Sequence, residues 1–335
     1  MIYDEFITII FFTIVSCYLL IYFAKKLALL DYPTERKKHK FPTPYIGGLV
    51  IGIGCLIISK FYNPKDLQLQ TLLLCSFLMS IIGLIDDKFE LNVVNKVILQ
   101  SIPVLIVISK KLFISNLGTY EYFGLVSLGI FSVLITFLSV MFLMNAANYN
   151  DGINGNLISI FIIFLFIIIN FIDANNVIYK IILFLIPINI VLFIFNCLVK
   201  KELTLFLGDS GSLTIGFLIS FICIYCALND IIDYALIPWI INYLVFEFIS
   251  TNISRIIKKK NLFNAGDDHL HYLLKKIVIK NYLVIIIINS IYILNFLTGF
   301  LIFKFIGATT SIIFFVIYFF IYFYLREKLF HRFKL

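Results

Sequence analysis

Eleven apolar blocks follow one another along the chain, and nothing constrains its fold more. They run near 6–23, 46–60, 67–85, 93–109, 124–143, 157–172, 177–195, 212–228, 234–252, 279–302 and 305–325. A bilayer core of ~30 Å is crossed by a helix of ~20 apolar residues. Within it only helices or closed barrels satisfy their own backbone. Of the 335 residues, 61% are hydrophobic and 14% charged; a soluble domain carries about a quarter charged residues. This excludes an ordinary soluble enzyme, a disordered protein and a collagen-like chain. A β-barrel is disfavoured because the apolar residues come in blocks and do not alternate. The expected fold is an all-α integral membrane protein, a polytopic bundle of about 11 (10–11) transmembrane helices forming one domain over residues 1–335, with no soluble appendage.

The N-terminus, MIYDEF, is acidic, unlike a cleaved signal peptide, so the first block is expected to stay in the membrane. Gly47, Gly48, Gly52 and Gly54 suit the short second block to close helix packing. Five of the six cysteines lie inside apolar blocks and Cys197 at the end of one, so they read as small packing residues. With the N-terminus outside, the inner segments hold 21 of the 27 Lys and Arg residues and the outer side 6. That bias predicts N-out, C-in. It also accounts for the net charge of +8 without a nucleic-acid partner; a basic inner face attracts anionic lipid.

Five polar stretches fall on that inner side. The first runs Asp31-Tyr-Pro-Thr-Glu-Arg36-Lys37-Lys38-His39 and continues to Gly47-Gly48. Arg36 and Lys37 could hold phosphate oxygens, although basic residues there also suit a plain positive-inside loop. The second, Gly83-Leu-Ile-Asp86-Asp87-Lys88, sets two carboxylates at the end of an apolar block. Ionisable groups in such places are usually functional, and carboxylates suit Mg²⁺ or general-base work. Lys96, nine residues after Asp87, is expected two to three turns on and roughly on one helix face. The third stretch, Asn145 to Gly155, contains Asp151 and the amides of Asn148 and Asn154, which suit a base edge or a sugar hydroxyl, though a tight turn would also use them. The fourth runs from Asn196 to Gly208-Asp209-Ser210-Gly211-Ser212, just before the eighth block. Free N–H groups at a helix start favour phosphate; Asp209 there calls for a bridging cation, which points to Mg²⁺ and a pyrophosphate. An N-cap would explain one of the five residues. The fifth contains Asp267, Asp268, His269, His271 and Tyr272. Its i, i+2 histidine spacing disfavours a two-His helical zinc site.

Together these stretches resemble the polyprenyl-phosphate N-acetylhexosamine-1-phosphate transferases (glycosyltransferase family 4). The matching segments are DYPTERKKH with PYIGG, GLIDDKFEL with Lys96, NAANYNDGINGN, FLGDSGSL and DDHLHYLL, in the family's order. The His-Leu-His run is similar to the undecaprenyl-phosphate GlcNAc-1-phosphate transferase branch rather than the phospho-MurNAc-pentapeptide transferases of peptidoglycan synthesis. The resemblance implies transfer of a sugar 1-phosphate from a UDP-N-acetylhexosamine to undecaprenyl or another polyprenyl phosphate, with release of UMP and a requirement for Mg²⁺ or Mn²⁺. It implies a multi-pass protein of the bacterial cytoplasmic membrane with its site facing the cytoplasm, and it allows a homodimer.

By the same resemblance Asp209 is the metal-binding aspartate, and Asp86 and Asp87 are general-base or metal-proximal groups. Asn148, Asp151 and Asn196 are nucleotide-recognition residues. Lys96, His269 and His271 contact phosphate or the reacting groups, with Ser212 and the Arg36–Lys37 pair binding substrate. Departures are Asn154 for a second Asp, Tyr272 for a final His, Glu247 for an expected Asp, and the segment between Asn196 and Asp209. A lipid-linked sugar transporter shares the hydrophobicity, but transporters place substrate near the midplane, and here the polar groups lie at one edge. One-step displacement and a two-step route through an aspartyl nucleophile both remain open at this stage.

Overall fold

The computed structural model describes residues 2–33, 41–62, 64–122, 124–261, 266 and 268–333, with residues 2 and 3 by backbone alone. Arg36, Lys37, His39 and Asp267 therefore lie outside the described residues. In chain order the elements are α1 (Ile2–Lys26), β1 (Leu30–Asp31), β2 (Thr43–Pro44), α2 (Gly47–Phe61), α3 (Leu67–Phe89), α4 (Val93–Ser109), β3 (Asn116–Tyr120), β4 (Gly124–Ser127) and α5 (Ser132–Tyr149). Then come α6 (Asn156–Ile169), α7 (Val177–Cys197), α8 (Gly208–Leu228), α9 (Ile237–Ile240), α10 (Asn242–Ile257), α11 (Leu270–Ile277), α12 (Asn281–Ile306) and α13 (Ala308–Arg332).

The protein is a multi-pass helical membrane protein. Among the described residues seven helices are long and apolar enough to cross a bilayer: Asp4–Lys26, Leu67–Phe89, Gly129–Tyr149, Val177–Cys197, Gly208–Leu228, Asn281–Ile306 and Ala308–Arg332. Three further apolar helices, α2, α4 and α6, are shorter. At 1.5 Å per residue they reach about 21–26 Å, less than the ~30 Å hydrocarbon core. Two apolar blocks are built differently from expectation. The fifth begins as strand β4, paired antiparallel with β3, and turns helical only at Gly129; its Gly124 lies at φ +64°, outside the helical region. The ninth is split at Ile241, where the short α9, with Pro238 in its first turn, ends and the chain restarts as α10. Among the described residues the fold is thus all-α except for two small two-stranded ladders.

Helix α8 is the axis of the bundle. It is apolar on every face, and nearly all of it is buried; a helix hydrophobic all round is a core helix. It packs against α2, α3 and α5. Close approach to α3 depends on Gly83, where any Cβ would collide with the backbone of Asp209 and Ser210. By contrast α1, α12 and α13 expose long apolar faces, including Phe11, Tyr22, Leu294, Phe305 and Phe320. Those faces are suited to lipid. All six cysteines are free, five of them buried, in keeping with a packing role.

The C-terminal ends of α3, α5 and α7 meet the N-terminal ends of α4, α6 and α8 at one end of the bundle, linked by side chains described below. Opposite-running helices bring their polar termini together there. Replacing Gly83 with Ala should push α3 off α8 and cost at least about 1–3 kcal/mol, the usual price of overpacking. The check is a thermal midpoint in detergent, expected several degrees below wild type.

Candidate active site

Asp86 and Asp87 occupy the last turn of α3, which ends at Glu90 in a left-handed conformation. Asn92 then caps α4 by accepting from the Asn95 N–H at 2.9 Å. The chain therefore turns between Asp87 and Lys96, and the expectation of one shared helix face is corrected: the two stand on different helices. They still meet. The Lys96 ammonium lies 2.6 Å from Asp86 Oδ2 and 2.5 Å from Asp209 Oδ2. Asn148, from the end of α5, donates to Asp209 Oδ1 at 2.7 Å and to Ser212 Oγ at 2.9 Å. Asp209 is the more open carboxylate, with 33% of its side chain exposed against 6% for Asp86.

The GDSGS run does not precede α8; it forms its first turn, starting at Gly208 with φ +70°. Its leading N–H groups are not free for phosphate either. Asp87 Oδ1 accepts from the Asp209 N–H at 3.0 Å and Oδ2 from the Ser210 N–H at 3.1 Å. A carboxylate from α3 thus caps α8 where orphan donors and the positive end of the helix dipole favour it. Ser210 is fully buried and donates to the Ser80 carbonyl at 2.8 Å. Neither role was legible in the sequence, because a cap is normally sought within a few residues of its helix.

The third wall is the turn from Asn150 to Gly155. Asn196 braces it: its Oδ1 accepts from the Gly155 N–H at 2.5 Å and its Nδ2 donates to the Leu205 carbonyl at 2.8 Å. Asn196 is therefore committed to the turn, and its amide faces protein rather than an opening. Asp151 carries no side-chain hydrogen bond among the described residues. Burial raises its pKa well above the usual carboxylate range, and the charges of Asp209 and Asp87 raise it further. Asp86, Asp87, Asp151 and Asp209 thus share one region, with Lys96 the cation paired within it.

The histidine segment closes the site. The ring of His269 packs edge-on against Tyr149 at 4.8 Å and parallel to His271 at 5.5 Å. His271 is fully buried, both ring nitrogens lack partners, and its ring lies 4.2 Å from that of Tyr272. Gly152 lies directly beneath: a side chain there would strike His271 Nε2 and the Tyr272 hydroxyl. The structure thus brings together Asp86, Asp87, Lys96, Asn148, Asp151, Asp209, Ser212, His269 and His271. Burial lowers the pKa of His269, and it takes His271 down to about 3. Asp268 is pushed up by burial but held at about 2 by the fork of Arg255, whose nitrogens lie 2.7 and 2.8 Å away.

A divalent cation fits this donor set. Asp209 and Asp86 offer hard oxygens that already converge on one cationic group, Lys96. Among the described residues no three His, Cys, Asp or Glu side chains form a ready cage. That suits Mg²⁺, which is usually held by one or two carboxylates together with substrate phosphates and water.

Fold and site together define a polytopic membrane protein with a carboxylate–lysine centre at one end of its helix bundle. Residues 69–227 match the model of glycosyl transferase family 4, which bears out the resemblance carried by the polar stretches. Over 284 residues the chain is 25% identical to an undecaprenyl-phosphate alpha-N-acetylglucosaminyl 1-phosphate transferase of Salmonella typhi, covering 82% of this chain and 76% of the relative. The protein of that name in Escherichia coli K12 is 25% identical over 281 residues, 81% of this chain and 76% of its own. A probable undecaprenyl-phosphate N-acetylglucosaminyl 1-phosphate transferase of Bacillus subtilis 168 is 26% identical over 255 residues, 74% and 70% of the two chains.

The depressed pKa of His271 makes a stability prediction. An unfolded histidine takes up a proton below about pH 6.5, whereas this ring stays neutral in the folded protein until about pH 3. Acid therefore favours the unfolded chain. Between pH 7.5 and pH 5 the linkage withdraws about 2 kcal/mol. The raised Asp151 pulls the opposite way in both proteins, so the difference between two proteins is what counts. His271→Leu should lose less thermal stability over that interval than wild type, measured as melting midpoints in detergent at the two pH values.

Proposed function

We propose that this chain transfers N-acetylglucosamine 1-phosphate from UDP-N-acetylglucosamine to undecaprenyl phosphate, releasing UMP. The observation that carries the reading is the convergence of Asp209, Asp86, Lys96 and Asn148 from four helices at one end of the bundle. The activity named for the relatives at 25–26% identity supports the same reaction class.

In the proposed step an oxygen of the lipid phosphate attacks the β-phosphorus of the nucleotide sugar. A new P–O bond forms, the bond from that phosphorus to the bridging oxygen breaks, and the bridging oxygen leaves on UMP. Mg²⁺ or Mn²⁺ held by Asp209, with Asp86 beside it, would neutralise charge on the diphosphate. Asn148 does not read the nucleotide in this scheme. Its amide fixes one oxygen of Asp209 and leaves the other turned towards Lys96. Asp87 holds the first turn of α8, and so the position of Asp209, while Asp86 faces the reacting groups. Lys96 offers its charge to a phosphate once the carboxylates have another cation. The lipid phosphate has a second pKa near 6, so it is ionised at pH 7 without a strong base. Positioning and charge neutralisation therefore outweigh proton abstraction. His271, whose unpartnered Nε2 lies beside Gly152, would offer that nitrogen to a phosphate or sugar oxygen.

The reading includes eleven passes through a bacterial cytoplasmic membrane, N-out and C-in, with the site on the cytoplasmic face. The 21-to-6 distribution of basic residues supports that orientation. A homodimer is compatible with it. The test is a radiolabel transfer assay on detergent-purified protein with undecaprenyl phosphate, Mg²⁺ and a panel of UDP-sugars. Labelled lipid from UDP-N-acetylglucosamine is expected. EDTA or Asp209→Asn should reduce it by about 10²-fold or more, as for loss of a charge-stabilising group. No labelled lipid from any sugar, with folded protein, would overturn the reading.

A further inference from the structure

Glu247 lies in the middle of an apolar stretch of α10 and is fully buried; Arg326, near the end of α13, is 2% exposed. Two charges removed from water persist only when fully paired and hydrogen-bonded, and these are. Arg326 donates from Nε to Glu247 Oε2 at 3.1 Å, and from Nη2 to Glu247 Oε1 at 3.3 Å and Thr251 Oγ1 at 2.8 Å. Its Nη1 donates to Glu327 at 2.8 Å. Glu247 Oε2 also accepts from the Tyr322 hydroxyl at 2.7 Å.

Two further bonds reach beyond this helix pair. Arg326 Nη2 donates to the Asp268 carbonyl at 2.5 Å, and Glu247 Oε1 accepts from the Leu270 N–H at 2.8 Å. These are the backbone groups on either side of His269. One ion pair, with one member on α10 and the other on α13, therefore grips the chain before and after that residue. The nearest carboxylate oxygen is 3.9 Å from His269 Nδ1, too far for a hydrogen bond. The ring is thus aimed through its backbone, edge-on against Tyr149 and parallel to His271.

We propose that Arg326 and Glu247 are positioning residues that hold His269 and His271 in the active site, so that the last helix of the chain, outside the matched segment 69–227, is part of the catalytic framework. The catalytic half of this inference rests on the transferase reading. The alternative role for the pair is to staple α13 to α10, a task already served by Phe246 against Phe315 at 4.9 Å and Phe319 at 5.6 Å.

The experiment compares wild type, Arg326→Lys and the neutral double variant Glu247→Gln/Arg326→Gln, which leaves no buried charge unpaired and so protects folding. Two readouts are taken on full-length protein in detergent. The first is transfer kinetics. The second is the rate at which diethyl pyrocarbonate modifies His269 and His271 without substrate, read by mass spectrometry. In the double variant kcat should fall about 10²-fold, the cost of a small misplacement of reacting groups, with KM for the UDP-sugar within about threefold, and both histidines should be modified about tenfold faster. Arg326→Lys, which keeps the charge but cannot span both partners, should fall between the two. Wild-type kcat and wild-type labelling in the double variant, with only a lowered melting midpoint, would overturn the proposal in favour of a staple. If wild type forms no lipid product the transferase reading fails, and the labelling rates still decide whether the pair pins the segment.

Discussion

The carboxyl group of Asp87 on the Asp209 and Ser210 N–H groups, in the first turn of α8, is the contact on which the site depends. Helix α8 is enclosed by its neighbours, so water cannot readily serve its leading donors, and orphan donors in such surroundings are costly. The carboxyl group of Asp87, from α3, accepts from two of them at once, at the positive end of the helix dipole. Because Gly83 lets the backbones approach, the same contact sets where Asp209 projects. From there Asp209 reaches Lys96, Lys96 reaches Asp86, and Asn148 brings in α5.

The charges around that contact bear on the cation proposed for the site. Four acids, Asp86, Asp87, Asp151 and Asp209, lie close together, and burial holds the pKa of Asp151 well above the usual carboxylate range. Lys96 pairs with Asp86 and Asp209, and burial keeps both site histidines neutral. A dianionic diphosphate entering such a region would be repelled unless it arrived with positive charge. This is a physical reason, independent of any family likeness, for a divalent ion to accompany the substrate. The ion pair of Arg326 and Glu247 works differently. It is internally neutral, and its contribution is directional, through the backbone on each side of His269.

Much of the site was legible in the sequence, and the reason is chemical. Asp86, Asp87, Asp151 and Asp209 are costly near apolar helices, so their presence already asks for a task. Roles were less legible than membership. Asn148 and Asn196 drew attention as amides suited to a nucleotide, yet one orients Asp209 and the other braces a turn. In the sequence Arg326 is one of the 21 basic residues of the inner side, although its partner stands 79 residues earlier. Glu247 was noticed as an acid in a span, and the sequence offered nothing to pair it with.

The sequence by itself determined the solvent and the material of the fold. Long apolar blocks commit the chain to helices in a bilayer, because no other local structure satisfies its backbone there, and polar residues placed between blocks must emerge at helix ends. It also determined which side chains would be found at those ends. The tertiary structure decided which ends meet, and through that the roles: Asp87 as a cap and Asp86 as a partner of Lys96, Lys96 reached across a turn rather than along a helix, and α13 bonded to the histidine segment. Such pairings depend on the packing of helices far apart in sequence, where a single glycine sets how closely two backbones approach, and the periodicity within one helix carries no record of its neighbour.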